Sequence, residues 1–308
     1  MKPRPYFGPA DLAAMQRLVQ RTWTPDSHWH LGDLAWQRPS MPDRQIALWP
    51  ADGTPARANG AQAGTDVVAW AWVSARAQLE TQAPAALAGE VLAWFDEVAG
   101  GGEQTVTVME TDTELVGVLS AAGYREVDGP FFRHCLRDLD ASLPQPRLPD
   151  GYLVRPVRPG ELAARAAVHR AAWRPQRLGE MQVPPVDLGD GESGMTTKRY
   201  GDIVGHWPYR SDLDLVVEAP DGNLVGTALG WLDDMNKVAL LEPVGIDPGH
   251  GRRGLGVAVS LACLHAMRDA GATQAVVCPR GDDAYPVPRR LYHAVGFRDA
   301  SRTVTYRR

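Results

Sequence analysis

Hydrophobic and polar positions along this chain follow two periods. Apolar residues at helical spacing predict amphipathic helices over residues 10–23, 85–98, 160–173 and 255–270. Short apolar runs rich in Val, Ile, Leu and Trp predict strands over 45–49, 67–73, 105–109, 213–218, 224–232, 238–246 and 273–278. A further helix is expected from about Val287, ended by a glycine C-cap at Gly296, with a final strand pair behind it.

The order of these elements occurs twice. Each half opens with a helix, passes through a polar stretch and a strand, and reaches a strand bearing tryptophan (Trp70 and Trp72, then Trp231). A long helix, a short strand and a helix ending in glycine plus an aromatic residue follow, at Gly123-Tyr124 in one half and Gly296-Phe297 in the other. The proline-rich run 143–150 lies between them and reads as a linker. The expected organisation is therefore a lobe over 1–142, a linker over 143–150 and a second lobe over 151–308. The second copy is the longer one, and its excess falls just before the long helix.

That excess holds the chain's most telling stretch, Ile246-Asp247-Pro248-Gly249-His250-Gly251-Arg252-Arg253-Gly254-Leu255-Gly256-Val257. A strand feeding a glycine-rich loop and then a helix presents backbone N–H groups and the positive end of a helix dipole to an anion. Arg252 and Arg253 add charge there. A P-loop would need Gly-Lys-Ser/Thr, and Leu255 follows Gly254 instead. A dinucleotide fingerprint would need a third glycine, and position 259 is Val259. The first half has no such loop, because residues 80–84 run almost directly into its long helix.

The stretch resembles the pyrophosphate loop of the GCN5-related N-acetyltransferases, the GNAT family. Ile246-Asp247-Pro248 stands for the family's V-x-P and Gly254-Leu255-Gly256 for its G-x-G. The Arg or Gln usual three residues before that first glycine is Gly251 here. Downstream, Leu291-Tyr292-His293-Ala294-Val295-Gly296-Phe297 is similar to the family's closing L-Y-x-x-x-G-F. Tyr285 and Pro288 stand where the family usually has Asn and Ala. The resemblance covers roughly 151–308. With the internal duplication it implies an α/β fold of two tandem acetyltransferase-like lobes, as in the mycothiol synthase-like proteins. Each lobe would be a mixed, mostly antiparallel sheet flanked by helices on both faces. The first lobe, without the loop and with Leu119 where the second has Tyr292, would be degenerate and structural or substrate-shaping.

The resemblance also implies the chemistry. Acetyl-CoA would donate an acetyl group to a primary amine of a small molecule or peptide, attacked directly in the C-terminal lobe. The backbones of Val244, Gly245 and Ile246 would hold the pantetheine arm and the thioester oxygen. Gly251, Arg252, Arg253, Gly254, Leu255, Gly256 and Val257 would hold the pyrophosphate. Tyr292 would protonate the leaving thiolate, or else pack under the sheet. Glu242, in an apolar strand, is either the general base or the partner of an arginine. Pro243 within that strand predicts a bulge. The alternative function is a non-catalytic CoA-binding sensor or scaffold with a retained acetyltransferase fold.

Composition narrows the partners. The 308 residues carry a net charge of −5 and are 44% hydrophobic, with a pI near 5.9. No overall basic footprint for nucleic acid is present. No apolar run has the length of a membrane span, and residues 1–14 lack the apolar core of a signal peptide. Three scattered cysteines, Cys135, Cys263 and Cys278, suit reduced thiols in a cytoplasm. Asp233 and Asp234 read as a solvated hairpin turn, and Arg280-Gly281-Asp282 as a turn. His28-x-His30 has no third ligand nearby in sequence, and no metal site is expected.

Overall fold

The structure is a computed structural model that describes residues 1–40, 44–52, 65–74 and 77–308. Contacts divide the chain into two units, residues 1–131 with 301–308, and residues 132–300. In the first, β1 (Arg4–Pro5), α1 (Pro9–Thr22) and α2 (Leu31–Ser40) precede β2 (Gln45–Pro50), β3 (Val67–Val73) and β4 (Gln78–Gln82). Then come α3 (Ala85–Ala99), β5 (Thr105–Met109), α4 (Thr113–Ala121) and β6 (Arg125–Val127). The second unit contains β7 (Arg133–Asp138), β8 (Leu153–Pro156), α5 (Leu162–Ala172), α6 (Pro175–Glu180), α7 (Thr197–Val204), β9 (Asp214–Glu218) and β10 (Leu224–Asp233). It continues through β11 (Val238–Ile246), α8 (Leu255–Asp269), β12 (Gln274–Val277) and α9 (Val287–Ala294). The last strand, β13 (Arg298–Arg307), begins in the second unit, and from Ser301 it belongs to the first.

Each unit is a mixed, mostly antiparallel sheet flanked by helices. Among the described residues the first runs β1-β2-β3-β4-β5-β13, with β6 also on β13 and one parallel pair, β4 with β5. The second runs β7-β12-β11-β10-β9-β8, with one parallel pair, β11 with β12. Alternation builds two layers of core in the first unit. Trp70 and Trp72 of β3 pack with Leu12, Met15 and Leu34 of α1 and α2. Ala69 and Ala71, on the other face, join Val91 and Phe95 of α3 and Leu119 of α4. In the second unit Val259, Cys263 and Met267 of α8 pack with β9, β10 and β11. Local chemistry marks the helix ends: Asp112 accepts from Leu115 N–H at 3.0 Å, Thr196 from Arg199 N–H at 3.0 Å, and Gly100 closes α3 at φ 70°.

The division differs from the one expected from the proline-rich run. Leu143 is buried in the second unit's core and the Pro144 carbonyl meets His265 Nε2 at 3.0 Å, so the run is packed into that unit. The cause lies in strand pairing. β7, from before the run, lies antiparallel to β12 with Cys135 opposite Val277. The terminal strand lies antiparallel to β5 with Thr303 opposite Met109. Among the described residues no helix is long and apolar enough to cross a membrane.

Candidate functional site

The site starts where β11 leaves its parallel neighbour. β12 pairs with β11 only over Val238, Ala239 and Leu240, whereas β10 follows β11 to Ile246, opposite Gly226. The rest of β11 therefore presents backbone groups along the side facing away from β10. The register with β10 shifts between Ala228 and Gly230, which pair with Val244 and Leu241. The extra residue falls at Glu242-Pro243, the bulge expected from a proline without an N–H. Trp231 Nε1 donates to the Glu242 carbonyl at 2.7 Å, filling an acceptor that the irregular pairing exposes.

This bulge changes which side chains share a face. Ala239 and Leu241 lie in the core with α8, and past the bulge Val244 and Ile246 join them. Counting in steps of two places Glu242 and Ile246 on one face, but the inserted residue breaks that parity. Gly245 is turned instead toward α5. A Cβ there would lie 2.1 Å from the Trp173 indole and 2.8 Å from the Ala172 methyl, so only glycine lets the ring close on the strand. Trp173 in turn stacks on His169 at 4.3 Å, with the planes 8° apart.

After Ile246 the chain makes one short 3₁₀ turn, residues 248–250, before α8. Asp247 accepts from Gly249 N–H at 2.8 Å, and Tyr152 Oη lies 2.8 Å from His250 Nδ1. Gly251 donates to the Pro248 carbonyl at 3.1 Å, so its N–H is engaged within the loop. Among the described residues the N–H groups of 252–257 have no acceptor in the chain; the first to find one is Ala258, on the Gly254 carbonyl at 3.0 Å. Arg252 and Gly254 sit at φ 62° and 78°, which bends the chain so that successive amides point outward ahead of the helix. Both arginines are exposed. In the first unit, by contrast, β4 ends at Gln82 and α3 begins at Ala85.

α9 carries Tyr292. Pro288 stands in its first turn, where a missing N–H costs nothing. Its C-terminus closes through Phe297 N–H on the Tyr292 carbonyl at 3.0 Å and Gly296 N–H on the His293 carbonyl at 3.0 Å. Gly296 is required by its φ of 89°, and a Cβ there would also push aside the end of the Arg137 side chain. The Tyr292 ring meets Phe297 edge-on at 5.9 Å. Burial pushes the Tyr292 phenol well above its ordinary range, and the nearby Glu242, Cys278 and Tyr285 push the same way. It is thus a firm proton holder, and the two residues expected to do chemistry feel one another's charge. Tyr285 is itself raised by burial, with Arg280 over its ring at 5.8 Å.

Other residues resolve into structure. Asp233 is buried at the β10–β11 turn, where its carboxylate accepts from Met235 N–H and Asn236 N–H, each at 3.0 Å. Asp234 is exposed at the same turn. Arg280 and Asp282 pair across theirs. His30 Nδ1 accepts from Gly32 N–H at 3.1 Å in the first turn of α2. Cys278 is half-buried beyond the end of β12. The roles of Trp173 and Tyr152 escaped sequence reasoning. Trp173 ends an alanine-rich helix with no motif about it, and only the bare Gly245 opposite hints at a ring there.

Residues 191–297 match the sequence model of the Acetyltransferase (GNAT) family. The chain is 30% identical over 199 residues to a mycothiol acetyltransferase of Thermobispora bispora, covering 61% of this chain and 60% of that one. It is 28% identical over 173 residues to a mycothiol acetyltransferase of Saccharomonospora viridis, covering 53% and 51%. The chain thus spans only about half to three fifths of these relatives. A tandem GNAT protein from the clavulanic acid biosynthesis pathway shares the fold, with a TM-score of 0.62, 16% identity and coverage of 100% and 98%. So does a GCN5-related N-acetyltransferase from Sphaerobacter thermophilus, with a TM-score of 0.57, 20% identity and coverage of 100% and 95%.

Proposed function

We propose that the chain belongs to the GNAT family, whose model matches residues 191–297, and that its second unit transfers an acetyl group from acetyl-CoA to a primary amine. The observation that carries the reading is two stretches of available backbone groups, separated by residues 247–251, whose own N–H groups are engaged within the chain or missing at Pro248. One lies along the part of β11 that leaves β12, and the other is the set of amides of 252–257 ahead of α8. The amides of Arg252, Arg253, Gly254, Leu255, Gly256 and Val257 would hold the pyrophosphate, with the dipole of α8 behind them. Val244, Gly245 and Ile246 would hold the pantetheine arm. When bound, acetyl-CoA supplies an acetyl group activated as a thioester.

The side chains divide the remaining work. An ammonium must lose a proton before it can attack, and Glu242 accepts that proton, directly or through water. Backbone N–H groups of β11 beyond the bulge steady the negative charge that develops on the carbonyl oxygen. As the C–S bond breaks, the Tyr292 hydroxyl gives its proton to the departing sulfur, and the second proton shed by the attacking nitrogen, passed on through water, restores the phenol. Its raised affinity for the proton keeps that hydroxyl protonated across the working pH range, so it yields the proton only as negative charge builds on the sulfur. Trp173 covers the opposite side of Gly245 and keeps water from that length of strand. The first unit, with no loop before α3, would serve structure or acceptor shaping. The acceptor is a small molecule or peptide amine; the two relatives named for mycothiol set one such compound for testing.

Two variants test the reading together. Acetyl-CoA and CoA should raise the melting temperature, and ATP and NAD should leave it in place. Gly256→Val puts a branched side chain among the amides; its Cβ would be in ordinary contact with Leu291 at 3.5 Å, so the protein should stay folded while the added methyl groups abolish that shift. Tyr292→Phe should keep the shift and lose about a hundredfold or more in turnover with an amine panel. A folded Gly256→Val protein that still binds acetyl-CoA normally would refute the site.

A further inference from the structure

β7, α9 and the first residues of β13 bring together three side chains that the proposed reaction does not use. Cys135 Sγ lies 3.4 Å from Asp299 Oδ1, and His293 Nε2 lies 2.7 Å from the same oxygen. The ligand atoms of all three lie within 4.8 Å of one another. Cys135 is buried, while His293 and Asp299 are exposed, so the cluster has an apolar back and an open front. Asp299 also lines a cleft of about 430 Å³ with Arg137, Gly296 and Arg298. Arg133 Nη1 holds the other Asp299 oxygen, Oδ2, at 3.1 Å and leaves Oδ1 to face the cysteine and the histidine.

The donor set selects the ion. One thiol, one imidazole and one carboxylate suit zinc and its chemical neighbours; calcium and magnesium require shells of oxygen. Bond lengths of about 2.3 Å to sulfur and about 2.0–2.2 Å to nitrogen and oxygen put tetrahedral ligand atoms roughly 3.3–3.6 Å apart. The Cys135–Asp299 separation already meets that spacing. The His293–Asp299 pair must open by about half an ångström, which an exposed imidazole can do by a small rotation. We propose that Cys135, His293 and Asp299 form a binding site for a thiophilic divalent cation of the zinc class, with water in the fourth position. The cation takes the place of the thiol proton, which leaves to solvent, and of the proton between His293 Nε2 and Asp299, which also leaves to solvent while His293 ligates as a neutral imidazole with its remaining proton on Nδ1. Arg133, bonded to the free oxygen, orients the ligating carboxylate as outer-shell groups do.

The consequence is local to α9. His293 follows Tyr292 directly, so an ion bound there would tie the end of that helix to β7 and to the start of β13. The proposal stands on this cluster alone and not on the acetyltransferase reading, and its test needs no turnover.

Tag-free, chelator-treated full-length protein is titrated with Co²⁺ and followed for a thiolate-to-cobalt charge-transfer band in the near ultraviolet. One equivalent should produce the band, and Zn²⁺ should then abolish it. Cys135→Ser should lose the band, and Cys278→Ser should keep it. Because Cys135 is a core residue, His293→Ala, at an exposed position, serves as the second variant. It should keep the native circular dichroism spectrum and weaken Co²⁺ binding about tenfold or more. No band in the wild-type protein, or a band unchanged in folded Cys135→Ser or His293→Ala, would overturn the assignment.

Discussion

His169 has its titration set by its neighbours. It lies flat against Trp173, the ring that closes on Gly245. Burial, with help from the charges of Arg165 and Arg170, lowers its pKa to about 3. In the unfolded chain the same imidazole titrates near 6.5. Between those values the unfolded state binds the extra proton, so stability rises with pH across this window. The neutral histidine costs nothing above about 6.5 and becomes a growing penalty as pH falls toward 3. His169→Gln removes that titration. In urea unfolding from pH 7 to pH 4 the wild-type protein should lose up to about 1.4 kcal/mol per pH unit more than the variant. Parallel slopes for the two proteins would mean that His169 already carries its proton when folded.

Among the elements, legibility followed periodicity and punctuation. β11, α8 and α9 were readable because each is strongly patterned and bounded by Pro or Gly at places where the backbone demands them. The bulge was readable from Pro243 alone. What the bulge does was not: an inserted residue exchanges the faces of Val244, Gly245 and Ile246, and a count in steps of two runs past it. The short polar elements β8, α6 and α7 carry too few apolar positions for a period to emerge. α7 nevertheless holds part of the joint that seats α5 on the sheet. Arg165 of α5 donates from Nε to Asp214 Oδ1 at 2.9 Å, both side chains fully buried. Tyr200 of α7 donates to the other oxygen, and Tyr209 reaches it at 3.2 Å. Burial pushes the Asp214 carboxyl upward while Arg165 opposes it. Arg165→Met strips the cation and leaves that carboxyl in the core, which should cost about 3–5 kcal/mol in urea unfolding. Replacing both partners, Arg165→Met with Asp214→Leu, should recover part of the loss, because two apolar residues need no partner. A double variant as unstable as the single one would show that Tyr200 and Tyr209 depend on the carboxylate more than Arg165 does.

At the scale of the whole molecule, the chain does not divide where its sequence pauses. Prolines 144, 146 and 149 announce a linker because proline cannot serve a helix or a central strand, and local chemistry says no more than that. Which strand belongs to which sheet is a long-range fact. Cys135 meets Val277, and Val304 meets Val108, and no local pattern encodes either pairing. A consequence follows for fragments. Residues 151–308, cut at the proline run, lose β7 from beside β12 together with the buried Cys135, Leu139 and Leu143. They keep instead Val304 and Tyr306, which belong to the core of the other unit. Residues 132–300 keep their whole sheet and core. The loss of three buried apolar side chains is worth several kcal/mol, about 2–5 for each large one, which is comparable to the stability of a domain. The fragment 132–300 should therefore express in soluble form, melt cooperatively and, on the proposed reading, melt higher with acetyl-CoA. The fragment 151–308, although it contains every residue of the proposed site, should aggregate or melt without cooperativity. Equal stability for the two would mean that β7 contributes little, and that the proline run marks the working boundary after all.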